Sequence, residues 1–325
     1  MNFTNLTINR HKRITYTKKD NSILSKLIRD RYLYIMFFPG LIYFIIFKYL
    51  PMFGIIIAFK DYDPFKGFIE SNWVGLKHFV KFVEGPYFWL ILRNTLLLNF
   101  YLLIFSFPML IIFAILLNEL KKMRFKRFVQ TVSYLPHFIS TVVIVGIVVD
   151  LLSPQTGKLS LLISEITGNK PIYFMTQPKY FRSIYVLTDI WRGTGWSAII
   201  YIAAITGINP SLYEASIVDG ANRWHQIIHI TIPSILNTII ILFILNIGYI
   251  LDVGFETAYL MQNSLNYYTS EVISTFVYKR GLLGTLAGPE FSYSTAVNLL
   301  QSAVGLVMIV SANKLSRNLG KVSLW

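Results

Sequence analysis

His225 and His229 stand four residues apart, a spacing that places two imidazoles on one helical face and, with a third ligand, holds zinc. Gln226 occupies the place where the zinc-protease pattern needs a Glu base, and no third ligand is evident, so two histidines near lipid headgroups are the simpler reading. Arg192-GTGW contains Gly-x-Gly, but inside an apolar run rather than between a strand and a helix. Close packing of helices at small residues explains it better than phosphate binding. No Gly-x-x-x-x-Gly-Lys-Ser/Thr phosphate loop occurs, and no Ser–His–Asp set or carboxylate pair stands out. Cys is absent, which excludes disulfides, thiolate metal sites and cysteine nucleophiles. The chain does not read as an enzyme, and no metal or cofactor is expected on it.

The elements around these residues belong in a membrane. The 325 residues are 54% hydrophobic, 16% aromatic and only 14% charged, too little charge for a soluble surface. The apolar residues cluster in six segments of about twenty residues or more, each long enough to cross a hydrocarbon core. They run over Tyr32–Phe59, Asn94–Leu117, Val132–Leu152, Ser183–Ile205, Ser234–Asp252 and Tyr293–Ala312. A span in lipid must satisfy its own backbone, so each is expected to be a helix, with kinks at Pro39, Pro51 and Pro108. The fold class is an all-α integral membrane protein with six transmembrane helices.

Basic residues set the orientation. More than half of the 30 Lys and Arg fall in the amino-terminal tail, in Lys121–Arg127, in the loop around Arg223 and in the carboxy-terminal tail. These are expected in the cytoplasm. The expected organisation is therefore a cytoplasmic tail at 1–31, a six-helix domain at 32–312 and a second cytoplasmic tail at 313–325. Outer loops would lie at 60–88, 153–182 and 257–292, capping the bundle, and a cytoplasmic loop at 208–233. A short surface helix is expected near Ile23–Ile28. The net charge of +14 is mostly a topology signal: the charges flank spans and form no stripe suited to nucleic acid.

The loop at 208–233 is longer and more patterned than a simple connection. Asn209 or Ser211 can cap a helix that Pro210 starts, and Ser211 with Glu214 forms a Ser-x-x-Glu capping box. Asp219-Gly220 breaks it, since Gly accepts positive φ. A second, amphipathic helix follows from about Ala221 to Thr231, with Trp224, Ile227, Ile228 and Thr231 on one face and Pro233 as its stop. The product is a compact helical knob suited to a groove on another protein, with Glu214 and Asp219 available for a basic partner.

Glu214-Ala215-Ser216-x-x-Asp219-Gly220-Ala221, followed by Ile230 and Pro233, resembles the EAA motif of permease subunits in ATP-binding-cassette importers. Ser216 replaces a common Ala, and Ile227 a common Phe. Ser133-YLPHFIS, Asp189-IWRGTGW, Ser274-TFVYKRGL and the closing Ser323-Leu-Trp325 resemble the LplB-type branch of the maltose-type sugar permeases. The resemblance implies a type I importer permease fold with both termini cytoplasmic, in a bacterial cytoplasmic membrane. It implies a second permease subunit as partner, two cytoplasmic ATPase subunits that bind the ATP and magnesium, an extracytoplasmic sugar-binding protein and an oligosaccharide substrate. It further implies that Glu214 pairs with the ATPase, that Gly220 makes the turn, and that Ala215, Ala221, Ile227 and Ile230 shape the fit.

The substrate path is sought among polar groups in or near the spans, which are costly when they face lipid. Arg192, Asp252 and Glu256 qualify, with Asn246, Asn298 and Gln301 beside them, and Trp191, Trp196, Tyr201 and Tyr249 can stack on sugar faces. Lys48 and Arg93 are expected to snorkel to headgroups. A proton-coupled secondary transporter is the rival; it would need an acid–base relay, and Asp252 and Glu256, both near the outer end, are read as the only acids so placed. A membrane-embedded glycosyltransferase would want acidic or metal-binding loops, which are not found. An importer for a non-sugar solute is a milder departure.

Overall fold

The computed structural model describes residues 30–284, 286, 288–318 and 323–324. The helix expected near Ile23–Ile28 lies outside the described residues, as does Trp325. The chain divides into two compact units at Ile55 and Ile56.

The first unit carries α1 (Arg31–Phe44), prolonged by a π turn at Ile45–Tyr49 and a short piece at Leu50–Met52. The second begins with β1 (Lys60–Asp61) and β2 (Asn72–Trp73), paired antiparallel, then α2 (Lys77–Val83). Next come α3 (Phe88–Tyr101), α4 (Phe107–Glu119), α5 (Met123–Phe138), α6 (Thr141–Leu151) and α7 (Lys158–Thr167). The long α8 (Pro178–Thr206) leads to α9 (Pro210–Val218), α10 (Arg223–Gln226) and α11 (Ile232–Gly248). The chain closes with α12 (Phe255–Met261), α13 (Ile273–Tyr278) and α14 (Phe291–Asn318). The short β ladder in the first loop is the one departure from an all-helical expectation among the described residues; Phe59 and Trp73 stack across it at 5.7 Å.

Among the described residues, four helical stretches are long and apolar enough to cross a membrane: Arg31–Phe59, Phe88–Glu119, Arg223–Gly248 and Phe291–Asn318. The expected third span is not a continuous helix. It breaks between α5 and α6 with a bend of 102°, and Ser140 caps the new helix by accepting from the Val143 N–H. As one broken span this pair is a fifth crossing. The fourth expected span lies in α8, whose 29 residues have the length but whose Lys179, Arg182, Asp189 and Arg192 dilute its apolar character.

Pro39 and Pro136 lie inside α-helices without a π turn before them, whereas three other prolines share one device. Pro51, Pro108 and Pro233 each deprive a carbonyl four residues earlier of its N–H partner: that of Phe47, Ile104 or His229. Each of these sits at the centre of a π turn, at Ile45–Tyr49, Leu102–Ser106 and Ile227–Thr231. The wider turn takes up the proline ring without ending the helix.

α8 is the central strut, packed along α4 and α5. A Cβ on Gly195 would lie 2.2 Å from the Ser133 carbonyl oxygen in α5, whereas one on Gly193 would meet nothing within 4 Å. The Gly-x-Gly therefore serves packing through Gly195 alone. Gly195→Ala is expected to lower the unfolding midpoint of the detergent-solubilised chain by the equivalent of about 1–3 kcal/mol, as overpacking does. Gly193→Ala, gaining helix propensity in open space, leaves the midpoint unchanged or raises it. Equal effects at both positions would contradict this packing. Gly305 of α14 likewise approaches Gly248 of α11, with a Cβ placed 2.7 Å from its carbonyl oxygen.

The loops expected on the outer side are joined to one another. Tyr62 N–H donates to Ser292 Oγ at 2.9 Å, and Lys81 pairs with Glu290 at 2.8 Å. Asn263 and Asn266 both donate to the Met175 carbonyl, and Asn94 of α3 donates to the carbonyls of Tyr268 and Glu271. The Glu271 carboxylate is 1% exposed and is held by Lys279 at 2.8 Å and Gln262 at 2.6 Å. Burial and this carboxylate push the Tyr267 phenol up to about 12, so it stays neutral beneath the Lys279 ammonium, 4.8 Å from its ring. Nearer the surface, the Lys77 hydrogen bond holds Asp61 below the usual carboxylate range. That pair contributes above the unfolded carboxylate pKa and is lost as pH falls through the depressed one; about half exposed, it contributes little.

Candidate functional site

The loop at 208–233, expected in the cytoplasm, is built from caps upward. Asn209 is the cap of α9, accepting from the Ser211 N–H at 3.0 Å, so Ser211 lies inside the first turn and the expected Ser-x-x-Glu box is not the cap. Adjacent cap residues compete, and Asn immediately before Pro at the first helical position wins. Glu214 is thereby free of a capping role and stands exposed, with no side-chain partner among the described residues.

The end of α9 is a Schellman turn. Ala221 N–H bonds the Ser216 carbonyl at 2.9 Å and Gly220 N–H the Ile217 carbonyl at 3.0 Å, with Gly220 at φ +78°. A Cβ on Gly220 would meet nothing, so its glycine is required by conformation. Asn222 then caps α10 through the His225 N–H at 2.9 Å.

Two expectations for the second half of the loop are corrected. Pro233 does not stop the helix: the π turn at Ile227–Thr231 carries α10 without interruption into α11, giving one helix from Arg223 to Gly248. The expected apolar face also divides. Ile227 packs into the cluster of Ala114, Ala198, Tyr201 and Ile235, and Thr231 is buried, while Trp224 and Ile228 are 72% and 54% exposed. Ile227 is thus turned toward its own bundle and partly buried there. Ile230 is half-buried, Ala221 likewise, and Ala215 and Pro233 are exposed. Tyr213 Oη meets Thr231 Oγ1 at 2.9 Å and Arg223 reaches Glu119 at 3.5 Å, tying the knob to α11 and to the end of α4. Outward it presents Glu214, Ile217, Val218, Asp219 and Trp224. The His225 and His229 rings stack at 5.2 Å on the exposed side, and no group of three metal-ligating side chains occurs among the described residues.

Four of the expected path residues come together. Arg192, Asn246, Tyr249 and Asp252 line one cavity of about 320 Å³ between α8, α11 and the π turn at Leu102–Ser106. Trp196 and Tyr201 line a neighbouring space that shares Asn246, and Gln301 one that shares Tyr249 and Asp252. Trp191, Glu256 and Asn298 lie outside all three. The Trp196 indole stacks on His137 at 4.7 Å beside the α5–α6 break, the Tyr201 hydroxyl is buried without a partner, and the Gln301 amide donates to the Leu251 carbonyl.

The main cavity also holds residues the sequence reading missed. Asp189 lies one turn before Arg192 inside the expected span, which corrects the reading of Asp252 and Glu256 as the only acids so placed, and it accepts from Ser106 Oγ at 2.7 Å. Its signal was present: an acid in the middle of an apolar run. Asn99, Tyr185 and Thr257 complete the polar lining. Arg192 makes no ion pair within 4.0 Å among the described residues. A cation, carboxylates, amides and a phenol around one cavity can donate to and accept from a polyhydroxylated solute at many points while Tyr249 offers a ring face.

Residues 111–321 match the family described as binding-protein-dependent transport system inner membrane component. The polygalacturonan/rhamnogalacturonan transport system permease protein YteP of Bacillus subtilis (strain 168) is 46% identical over 95% of this chain and 94% of its own. Protein LplB of the same organism is 44% identical over 94% and 95%. A crystal structure of a bacterial importer of the acidic polysaccharide alginate contains a chain 41% identical, superposing with a TM-score of 0.82 over 92% of this chain and 99% of that one. A second structure of the alginate transporter, in complex with a periplasmic protein carrying an alginate pentasaccharide, matches equally well. A patterned helical knob continuous with a long apolar helix, a polar cavity among the helices and these similarities agree: the chain belongs to the family of binding-protein-dependent transport system inner membrane components.

Proposed function

We propose that this chain is a permease subunit of an ATP-driven, binding-protein-dependent importer of oligosaccharides in a bacterial cytoplasmic membrane, with both termini in the cytoplasm. A second permease chain completes the path, two cytoplasmic ATPase subunits hold ATP and magnesium, and an outer binding protein delivers the saccharide. The observation that carries this reading is the rigid join of α10 to α11, because a knob continuous with a spanning helix transmits small displacements that a loose linker would absorb. In this reading ATPase closure pulls on Glu214, Ala215 and the exposed face of α9, and the pull reaches Tyr249–Asp252, just past the end of α11, where the chain borders the cavity. Ser216 and Gly220 set the angle of the knob; Arg192, Asn246, Tyr249 and Asp252 contact the sugar, with Asp189 held by Ser106 beside them.

Saccharide-stimulated ATP hydrolysis of the assembled importer tests the cavity. Tyr249→Ala and Asp252→Asn are each expected to raise the half-stimulating concentration of loaded binding protein or to lower the stimulated rate roughly tenfold, the equivalent of one contact of about 1–1.5 kcal/mol. Basal hydrolysis should persist. Unchanged stimulation in both variants would remove this cavity from the path.

A further inference from the structure

A second hollow, of about 450 Å³, borders α8 on a face rotated away from the Tyr185–Asp189–Arg192 stripe. It has two unlike ends. Lys179 and Arg182 stand at the outer one, beside Arg93. Phe105, Val186, Leu187 and Ile190 make the wall that follows, reaching about 16 Å along the helix from Lys179. Leu187 is 65% and Phe105 54% exposed.

Some cations of the adjoining loops are neutralised by acids, and those at this end are not. Lys77, Lys81, Lys279 and Arg280 in the adjoining loops each pair with a carboxylate. Among the described residues, Lys179, Arg182 and Arg93 pair with none. Lys179 only overlies the Tyr180 ring at 4.6 Å, Arg182 donates to Asn94 at 3.1 Å, and Arg93 reaches the Tyr268 hydroxyl at 3.5 Å. The Arg182 Nε is buried with no acceptor. Gathering positive charge without acids is unfavourable unless an anion joins it.

We propose that this groove binds one anionic phospholipid, its phosphate at Lys179 and Arg182 and an acyl chain along Phe105, Leu187 and Ile190. The chemistry is a negative headgroup at the water boundary with a hydrocarbon tail below it, and basic pockets between spans suit such headgroups. A uronate saccharide would match the cations, but its hydroxyls would lie unsatisfied against the aliphatic wall. Free phosphate would leave that wall empty. The inference rests on the membrane orientation proposed above and not on sugar transport.

The assembled importer, purified from nanodiscs containing equal phosphatidylglycerol and phosphatidylcholine, would be examined by native mass spectrometry after a mild detergent wash. Wild type is expected to retain one phosphatidylglycerol per copy of this chain. Lys179→Glu and Leu187→Gln should each cut retention about tenfold with the complex intact. Arg182 is left in place because it holds Asn94. Retention unchanged in both variants, or equal retention of phosphatidylcholine, would overturn the proposal. So would displacement of the lipid by a polygalacturonate trisaccharide or inorganic phosphate, or efficient cross-linking of Leu187→Cys to the second permease chain. Loss of sugar-stimulated hydrolysis with the lipid still bound would count against the importer reading alone.

Discussion

Glu214→Lys is expected to release the ATPase subunits from the permease pair and to abolish saccharide-stimulated hydrolysis. Glu214 is exposed in the middle of α9, makes no side-chain hydrogen bond or ion pair among the described residues and does not cap the helix, so its replacement is expected to leave the fold of this chain intact. Its neighbours on the surface, Ile217 at 60% and Val218 at 88% exposed, give a partner apolar area around the charge. Reversing a charge at the centre of such an interface costs about 2–4 kcal/mol, hence roughly 100-fold in ATPase affinity. Co-purification of the ATPase with the permease pair measures this, and the unfolding midpoint of the pair reports the fold. If the ATPase remains bound at wild-type levels, Glu214 has no coupling role.

The largest effect on stability is expected from Lys279→Met. The Glu271 carboxylate is buried among the joined loops, one oxygen bonded to Lys279 and Gln262 and the other without a partner. Removing the ammonium leaves a buried charge with a single amide donor, which costs about 3–5 kcal/mol. The lower end applies because the Lys279 side chain is 30% exposed. The damage would spread through the backbone at Glu271, whose carbonyl accepts from Asn94, and at Ile273, whose N–H donates to Thr95. The double variant Glu271→Gln with Lys279→Met removes both charges and keeps a donor–acceptor pair with Gln262, so it should recover most of the loss. Thermal unfolding of the solubilised chain measures both. A double variant no more stable than Lys279→Met would mean that the ion pair is not the source.

The knob was legible because its signals are local. Asn209-Pro210 and Asp219-Gly220 act through backbone geometry within four residues, and both do in the structure what such residues do elsewhere. The choice between Asn209 and Ser211 as cap was not legible, since either can accept the same class of N–H. Continuity through Pro233 was hidden for another reason. A π turn inserts one residue without disturbing the run of Ile and Leu on which a helix is recognised, so the proline alone reads as a stop. The α5–α6 break is similar, with apolar residues on both sides of Ile139–Ser140 and no glycine to mark it.

The site divides along the same line. Arg192, Asn246, Tyr249 and Asp252 were readable as polar or aromatic groups in apolar surroundings, and they share one cavity. Trp191, Glu256 and Asn298 carry the same signature outside it, because composition marks a residue as unusual in lipid without saying which way a helix turns it. Asp189 needed Ser106 to become intelligible. Those residues lie 83 positions apart and meet where the π turn before Pro108 borders α8.

The most direct test is uptake of radiolabelled oligosaccharide into proteoliposomes that contain the two permease chains, with the outer binding protein added. Uptake is expected only when the ATPase subunits and internal ATP are present, and it should survive collapse of the proton and sodium gradients. Uptake by the permease chains alone, driven by an ion gradient and indifferent to ATP, would contradict coupling through the cytoplasmic knob and make this chain a secondary transporter.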